Sequence, residues 1–154
     1  MDVRIVTFPE TKVASITHIG PREREHDTAR KLIEWKIRNR FLDQSKYRSY
    51  GLHYIDPRTI EPSEYRVDFC LSIEGSVGQN NAEIVEKVIP ILKCALARDV
   101  GSRGNNQAAK YLIGEWLPES DETMSGFPLI FHYVNVGPDI KEHEAITDVY
   151  LPLK

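Results

Sequence analysis

The chain has 154 residues, which is enough for one compact domain with a sizeable buried core. Its net charge of −3 lacks the basic excess typical of nucleic-acid-binding proteins, so we expect no direct nucleic-acid partner. The start, MDVRIVTFPETK, does not resemble a signal peptide, and no stretch approaches the roughly 18 apolar residues of a membrane helix. We therefore expect a cytoplasmic protein.

The first half of the chain predicts four strands and one helix. Alternating apolar and polar residues predict strands at 3–7 and 13–19, and apolar residues at a three-and-four spacing predict a helix at about 23–40. Two further strands are predicted at about 48–55 and 65–73, on either side of the turn-rich segment DPRTIEPSE. The segment EGSVGQNNAE is predicted to link the two halves.

The second half predicts the same order of elements. A strand is predicted at about 84–99, a helix at about 105–117, and strands at 129–135 and 145–153. Leu117-Pro118 is predicted to end this helix, because proline cannot continue the hydrogen-bonding pattern.

The two halves also match in sequence. VASITHIGPREREHDTARKLIEW at 13–35 aligns with CALARDVGSRGNNQAAKYLIGEW at 94–116, which places Gly20 on Gly101 and Trp35 on Trp116. The offset then slips, and the remaining matches are HYID at 53–56 with HYVN at 132–135, and VDFCLSI at 67–73 with TDVYLPL at 147–153.

This repetition predicts a single α+β domain over residues 1–154, built from duplicated β-α-β-β units. Repeat one spans about 1–74 and repeat two about 83–154. We expect pseudo-twofold symmetry, an antiparallel-rich sheet and two main helices on one face, with a ligand cleft at the seam between the repeats.

Motifs for metal or phosphate chemistry are absent from the sequence. His143-Glu144 begins an HExxH pattern, but its fifth residue is Thr147. Cys70 and Cys94 lie in apolar alternating runs, which favours buried free thiols over a disulfide. We expect no metal and no cofactor.

Three segments carry a resemblance to a known family: GLHYIDPRTIEPSEYRVDFCLSI at 51–73, GEWLPES at 114–120 and DVYLP at 148–152. They resemble the GyrI-like family of small-molecule-binding domains, which is also found appended to AraC-type and BmrR-type transcription regulators. The resemblance implies a ligand groove between the helices and the sheet. It also implies a standalone member, since those regulators carry a DNA-binding module before this domain.

The resemblance further implies a pocket for bulky aromatic cations. The family's acidic-x-tyrosine pair falls on Asp148 and Tyr150, and His132 stands where many members carry a central glutamate. The aromatic candidates for the pocket are Trp116, Tyr54, Tyr50 and Tyr111, although each is also compatible with ordinary packing. Asp68, which matches Asp148 in the repeat, is expected to have a structural role.

Three functions remain open at this point. The first is a non-catalytic binding module for a hydrophobic, cationic, drug-like molecule. The second is a hydrolase of reactive small electrophiles, with Glu115 beside Trp116 as the acid. The third is a protein-interaction role, such as inhibition of a topoisomerase. We expect a binding module rather than an enzyme, with an undetermined oligomeric state.

Overall fold

The structure is a computed structural model, and it describes residues 1–54 and 65–154. The predicted turn segment at 56–64 lies outside the described residues. Within them, eight strands form one antiparallel sheet. The strands are β1 (Arg4–Phe8), β2 (Thr11–Ile19), β3 (Ser49–His53), β4 (Arg66–Ser72), β5 (Val85–Ile89), β6 (Leu92–Val100), β7 (Leu129–Tyr133) and β8 (Ile146–Pro152).

The region predicted as one strand at 84–99 is two strands, and that prediction was wrong. Pro90 separates β5 from β6, as Pro9 separates β1 from β2 in the first repeat. A proline has no N–H to donate to a sheet ladder, so it interrupts the pairing at this position.

Among the described residues, each repeat contributes one main helical segment, and repeat two has a further 3₁₀ turn at Glu142–Glu144. Helix α1 (Glu25–Arg38) follows a 3₁₀ turn at Arg22–Arg24. The second segment begins as α2 (Gln107–Tyr111), widens into a π-helical turn at Leu112–Trp116 and ends as α3 (Leu117–Glu119). Pro118 was predicted to stop this helix but lies inside its last turn. Pro118 lies in the first turn of α3, directly after the π-helical turn, and a proline is tolerated in the first turn of a helix.

The first strand of each repeat pairs with the other repeat. The order across the sheet is β1-β6-β8-β7-β3-β4-β2-β5, so β1 lies beside β6 and β5 lies beside β2. The two pairings are equivalent, because Arg4 faces Leu96 where Val85 faces Ser15. At the centre, β3 pairs with β7, and Gly51 faces Phe131. The pseudo-twofold axis therefore passes between Gly51 and Phe131.

The helices cover one face of the sheet, which we call the helix face. Leu71 of β4 packs with Leu32 and Trp35 of α1, and Val149 of β8 packs with Leu112 of the second helical segment. The predicted α+β fold, with its two main helices on one face, is confirmed.

The opposite face, which we call the far face, has its own buried core. Phe8 of the edge strand β1 contacts Tyr150 and Tyr50, with ring centroids 5.1 and 5.7 Å apart. An edge strand can reach the central strand β3 in this way only because the sheet curls strongly toward the far face. Both cysteines are buried here as free thiols.

None of the helices in the described ranges is long and apolar enough to cross a membrane.

Candidate functional site

A groove of about 1190 Å³ opens on the helix face between the two helical segments. Glu25 and Ala29 of α1 form one wall, and Ala109, Lys110 and Ile113 form the other. The floor is aromatic and apolar, and its residues are His53, Tyr65, Phe69, Leu129, Phe131 and Tyr133. The volume lies at or just above the usual range for small-molecule pockets.

The centre of the floor depends on a glycine. Gly51 has no side chain, and the Tyr133 hydroxyl occupies the space that a Cβ atom at this position would need. The Nε2 atom of His53 lies 3.3 Å from the same hydroxyl, and the His53 ring lies over Phe131 with centroids 4.0 Å apart. Three rings thus meet on the pseudo-twofold axis.

The floor carries no charge at neutral pH. Burial, together with the charge of Arg22, lowers the pKa of His53 from 6.5 to about 4, so its imidazole is neutral. Burial also raises the pKa of Tyr133 well above its usual value, with smaller contributions from Glu25 and Tyr65. The floor can therefore offer aromatic faces and a phenolic hydroxyl to a ligand.

An anion lies at the edge of this floor. The Glu25 carboxylate accepts a hydrogen bond of 2.7 Å from the Tyr65 hydroxyl. Burial raises the pKa of Tyr65, and the hydrogen bond to Glu25 raises it further, so Tyr65 remains a donor. Among the described residues, no cation lies within salt-bridge distance of Glu25. Within residues 1–54 and 65–154, its negative charge is therefore stabilised by a hydrogen bond and not by an ion pair.

A cation lies on the second-repeat side of the groove. Nε of Arg103 donates to the Thr147 hydroxyl at 3.2 Å, and Nη2 donates to the carbonyls of Asn135 at 2.7 Å and Ile146 at 3.0 Å. The guanidinium also lies 5.2 Å from the centroid of the Tyr133 ring. These bonds fix the position of its charge beside the floor.

Comparison with known proteins agrees with this architecture. The model of the GyrI-like small molecule binding domain matches residues 1–154.

The chain belongs to the GyrI-like family.

The curated relatives include the probable transcriptional regulator YgiV of Escherichia coli strain K12. It is 30% identical over 154 residues, which is 99% of this chain and 96% of YgiV. Two solved structures share the fold. The C-terminal domain of EcmrR is 17% identical with a TM-score of 0.77, over 99% of this chain and 97% of that one. SAV2435 bound to tetraphenylphosphonium is 13% identical with a TM-score of 0.57, over 100% of this chain and 94% of that one.

Four of the residues proposed from the sequence lie outside the groove of this GyrI-like domain. Asp148, Tyr150, His132 and Tyr50 all point to the far face, where the rings of Tyr50 and His132 lie 5.0 Å apart. Burial lowers the pKa of His132, with an opposing effect from Asp148. The Asp148 carboxylate is paired with Arg98, at 2.7 Å to Nε and 3.1 Å to Nη2.

The three other proposed residues have different positions. Tyr54 lines the groove, and its hydroxyl donates to Asp68 at 2.7 Å, so it connects the groove to the far face. Trp116 packs against the second-repeat core and is not among the lining residues, and Tyr111 is half-buried outside the groove. Glu115, the acid of the hydrolase hypothesis, is exposed and does not line the groove.

The match of His53 with His132 in the sequence repeat is wrong. The register around the Gly51–Phe131 pair makes Tyr133 the equivalent of His53, and Leu52 the equivalent of His132. Successive side chains of a strand point to opposite faces, so a shift of one residue moves a side chain from the groove to the far face.

Sequence reasoning missed Glu25 and Arg103. Glu25 lies in the charged run REREHD at 22–27, and Arg103 lies in GSRG at 101–104; neither segment matches a motif for binding or catalysis. A comparison of the two repeats could have pointed to both residues. At an offset of 81, Arg103 matches Arg22, so the arginine is common to both repeats, whereas Glu25 matches Asn106, so the acid is present only in the first. Within residues 1–54 and 65–154, no group of three or more His, Cys, Asp or Glu side chains is placed to hold a metal ion.

Proposed function

We propose that this GyrI-like domain binds an aromatic, positively charged small molecule in the groove, with Glu25 as its counter-ion. The observation that carries the proposal is the Glu25 carboxylate beside the aromatic floor, held by the Tyr65 hydroxyl and by no described cation. The sequence had suggested Asp148 for this role, but Arg98 already neutralises Asp148 on the far face.

The physical basis is a balance of desolvation and attraction. A carboxylate at the edge of an apolar groove is poorly hydrated, and a lipophilic cation recovers part of that cost. Each aromatic face of the floor adds a cation–π attraction of about 0.5–2 kcal/mol. Neutral His53 does not oppose a cation, because its lowered pKa leaves it unprotonated.

Relatives supply independent support. SAV2435 is bound to tetraphenylphosphonium, which is an aromatic cation, and YgiV is a probable transcriptional regulator. A binding domain of this kind acts by sequestering its ligand or by reporting it to a regulatory partner. We infer a binding role rather than catalysis, since the acid considered for hydrolysis, Glu115, is exposed and does not line the groove.

The test is a fluorescence titration with the ethyl ester of rhodamine B, a permanent aromatic cation. We expect saturable binding that weakens about tenfold in Glu25→Gln, which keeps the size of the side chain and removes its charge. Asp148→Asn is the matched control on the far face and should leave the affinity unchanged.

Each other result has a definite meaning. Loss of affinity in Asp148→Asn but not in Glu25→Gln would restore the far-face site suggested by the sequence. Absence of saturable binding to the wild-type protein would contradict the proposed function itself.

A further inference from the structure

The charged residues of the groove are unevenly divided between the two repeats. Among the described residues, repeat one contributes one cation and two carboxylates to the groove, whereas repeat two contributes three cations and one carboxylate. The residues from repeat one are Arg22, Glu23 and Glu25, and those from repeat two are Arg103, Lys110, Lys141 and Glu142. The fold is pseudo-symmetric, but these described charges give the groove a negative wall and a positive wall.

Arg103 is the central charge of the positive wall, and part of it is unused. Its hydrogen bonds involve Nε and Nη2, and none within the described residues involves Nη1. In the described residues, the buried side-chain nitrogen and oxygen atoms that lack a hydrogen-bond partner are Nε of Arg66 and Nδ2 of Asn106. Nη1 of Arg103 is not one of them, so it is accessible to solvent or to a ligand. No carboxylate of the described residues lies within salt-bridge distance of this half-buried guanidinium.

The electrostatics agree with an unneutralised cation. Burial lowers the pKa of Arg103, the direction expected when desolvation is not offset by a nearby anion. The hydrogen bonds of Nε and Nη2 to Thr147, Asn135 and Ile146 orient the guanidinium. Nη1 keeps two N–H groups of a permanently charged side chain, which can make charge-assisted hydrogen bonds to an external acidic oxygen.

The repeat shows that this polarity is built into the two walls. The position equivalent to Glu25 is Asn106, whose Oδ1 caps the second helical segment by accepting the Ala109 N–H at 2.9 Å. The second wall therefore has an uncharged amide where the first has a carboxylate. Both walls retain an arginine, Arg22 and Arg103, but only the first also has an acid at this position.

Glu25 and Arg103 line the same groove, on opposite sides of its aromatic floor. The Arg103 guanidinium lies 5.2 Å from the centroid of the Tyr133 ring, and the Glu25 carboxylate is bonded to the hydroxyl of Tyr65, another residue of the floor. A molecule lying on the floor would thus have Glu25 on one side and the Arg103 guanidinium on the other.

We propose that the ligand of this groove is an aromatic zwitterion, with its cationic group toward Glu25 and an acidic oxygen group bound by Nη1 of Arg103. This inference rests on the proposed function, and it adds a requirement for the acidic group. It predicts that the protein discriminates against a lipophilic cation whose acidic group has been masked.

The experiment compares rhodamine B with its ethyl ester, two dyes that share one chromophore. The free acid is a zwitterion, whereas the ester is a cation. We expect the acid to bind the wild-type protein about tenfold more tightly than the ester. This ratio of dissociation constants needs no variant, so it is independent of any folding defect.

Variants then assign the preference to Arg103. Arg103→Gln should reduce the ratio to near one, and circular dichroism should verify that it is folded. Arg103→Lys keeps the charge but loses the guanidinium hydrogen bonds that hold it in position, so it should reduce the ratio several-fold. Arg24→Gln is the matched control, because Arg24 is exposed, lies in the turn before α1 and does not line the groove. It should keep the full ratio.

The outcomes separate this inference from the proposed function. If the ester binds as tightly as the acid, or if the ratio survives in Arg103→Gln, the zwitterion is refuted while cation binding stands. If neither dye binds, the proposed function fails and this inference fails with it. A preference for the acid that disappears only when Arg103 is changed supports the inference.

Discussion

The substitution Gly51→Ala tests the structure of the groove floor most directly. A Cβ atom at residue 51 would overlap the Tyr133 hydroxyl and would lie 3.1 Å from both Cζ of Tyr133 and Nε2 of His53. Gly51 lies inside β3, where the neighbouring strand β7 prevents the backbone from moving away. The Tyr133 ring must therefore move, or the strands must separate.

We expect this overpacking to cost about 2 kcal/mol, within the range of about 1–3 kcal/mol for extra methyl groups in packed cores. With a urea m-value of about 2 kcal/mol per molar, the midpoint of unfolding falls by about 1 M. Displacement of Tyr133 should also weaken dye binding, since the ring forms the centre of the floor.

Two further variants isolate the cause. Tyr133→Phe removes the oxygen that the new methyl group would overlap, so Gly51→Ala should cost about 1 kcal/mol less in that background. Gly78→Ala is the matched control, because nothing lies within 4 Å of a Cβ atom there. A Gly51→Ala protein with unchanged urea midpoint and unchanged dye affinity would refute the described packing of Tyr133 over Gly51.

Two predictions concern stability. The pKa of His53 is about 4 in the folded protein, against 6.5 for an unperturbed histidine, so the unfolded chain binds more protons between these values. Folding stability should therefore be complete above about pH 6.5 and fall by up to about 3 kcal/mol as the pH drops toward 4, and urea midpoints of His53→Gln should lack this slope. Asp68→Ala should cost about 2–3 kcal/mol, because it leaves Thr17 and Tyr54 without their buried acceptor. Asp148→Ala, its repeat equivalent, should cost less than about 1 kcal/mol, because its partner Arg98 has a 56% exposed side chain. Equal urea midpoints for these two variants would contradict this difference.

Most of the fold could be predicted from the sequence, because the repeat at an offset of 81 fixes the order of elements. The pairing of β1 and β5 with strands of the other repeat could not be predicted. A proline between two apolar runs is equally compatible with a hairpin, a bend or a strand that pairs elsewhere in the sheet. Pro90 marked the break between β5 and β6, but only the tertiary pairing shows that β5 lies beside β2.

The candidate site was less predictable than the fold. The alternation of side chains along a strand puts Asp148 and Tyr150 on one face of the sheet and Phe131 and Tyr133 on the other, as the structure shows. Periodicity alone does not say which face the helices cover. A signal was present in β8, where Thr147, Val149 and Leu151 form the row packed under the helical segment. Glu25 could not be distinguished from its charged neighbours, because its role depends on Tyr65 at the start of a distant strand.

The placement of β1 beside β6 affects how the protein can fold during its synthesis. Phe8 of β1 pairs with Leu92 of β6, so during synthesis β1 has no partner until more than 80 further residues have been added. Repeat one cannot close its own sheet, and repeat two depends equally on its neighbour for the strand that flanks β5. The two halves are interlocked, and neither is a unit that could be deleted or transplanted alone. Two separate copies of one such repeat could assemble in the same way, as a dimer in which each copy gives its first strand to the sheet of the other. Fusion of the two copies into one chain would make that strand exchange intramolecular.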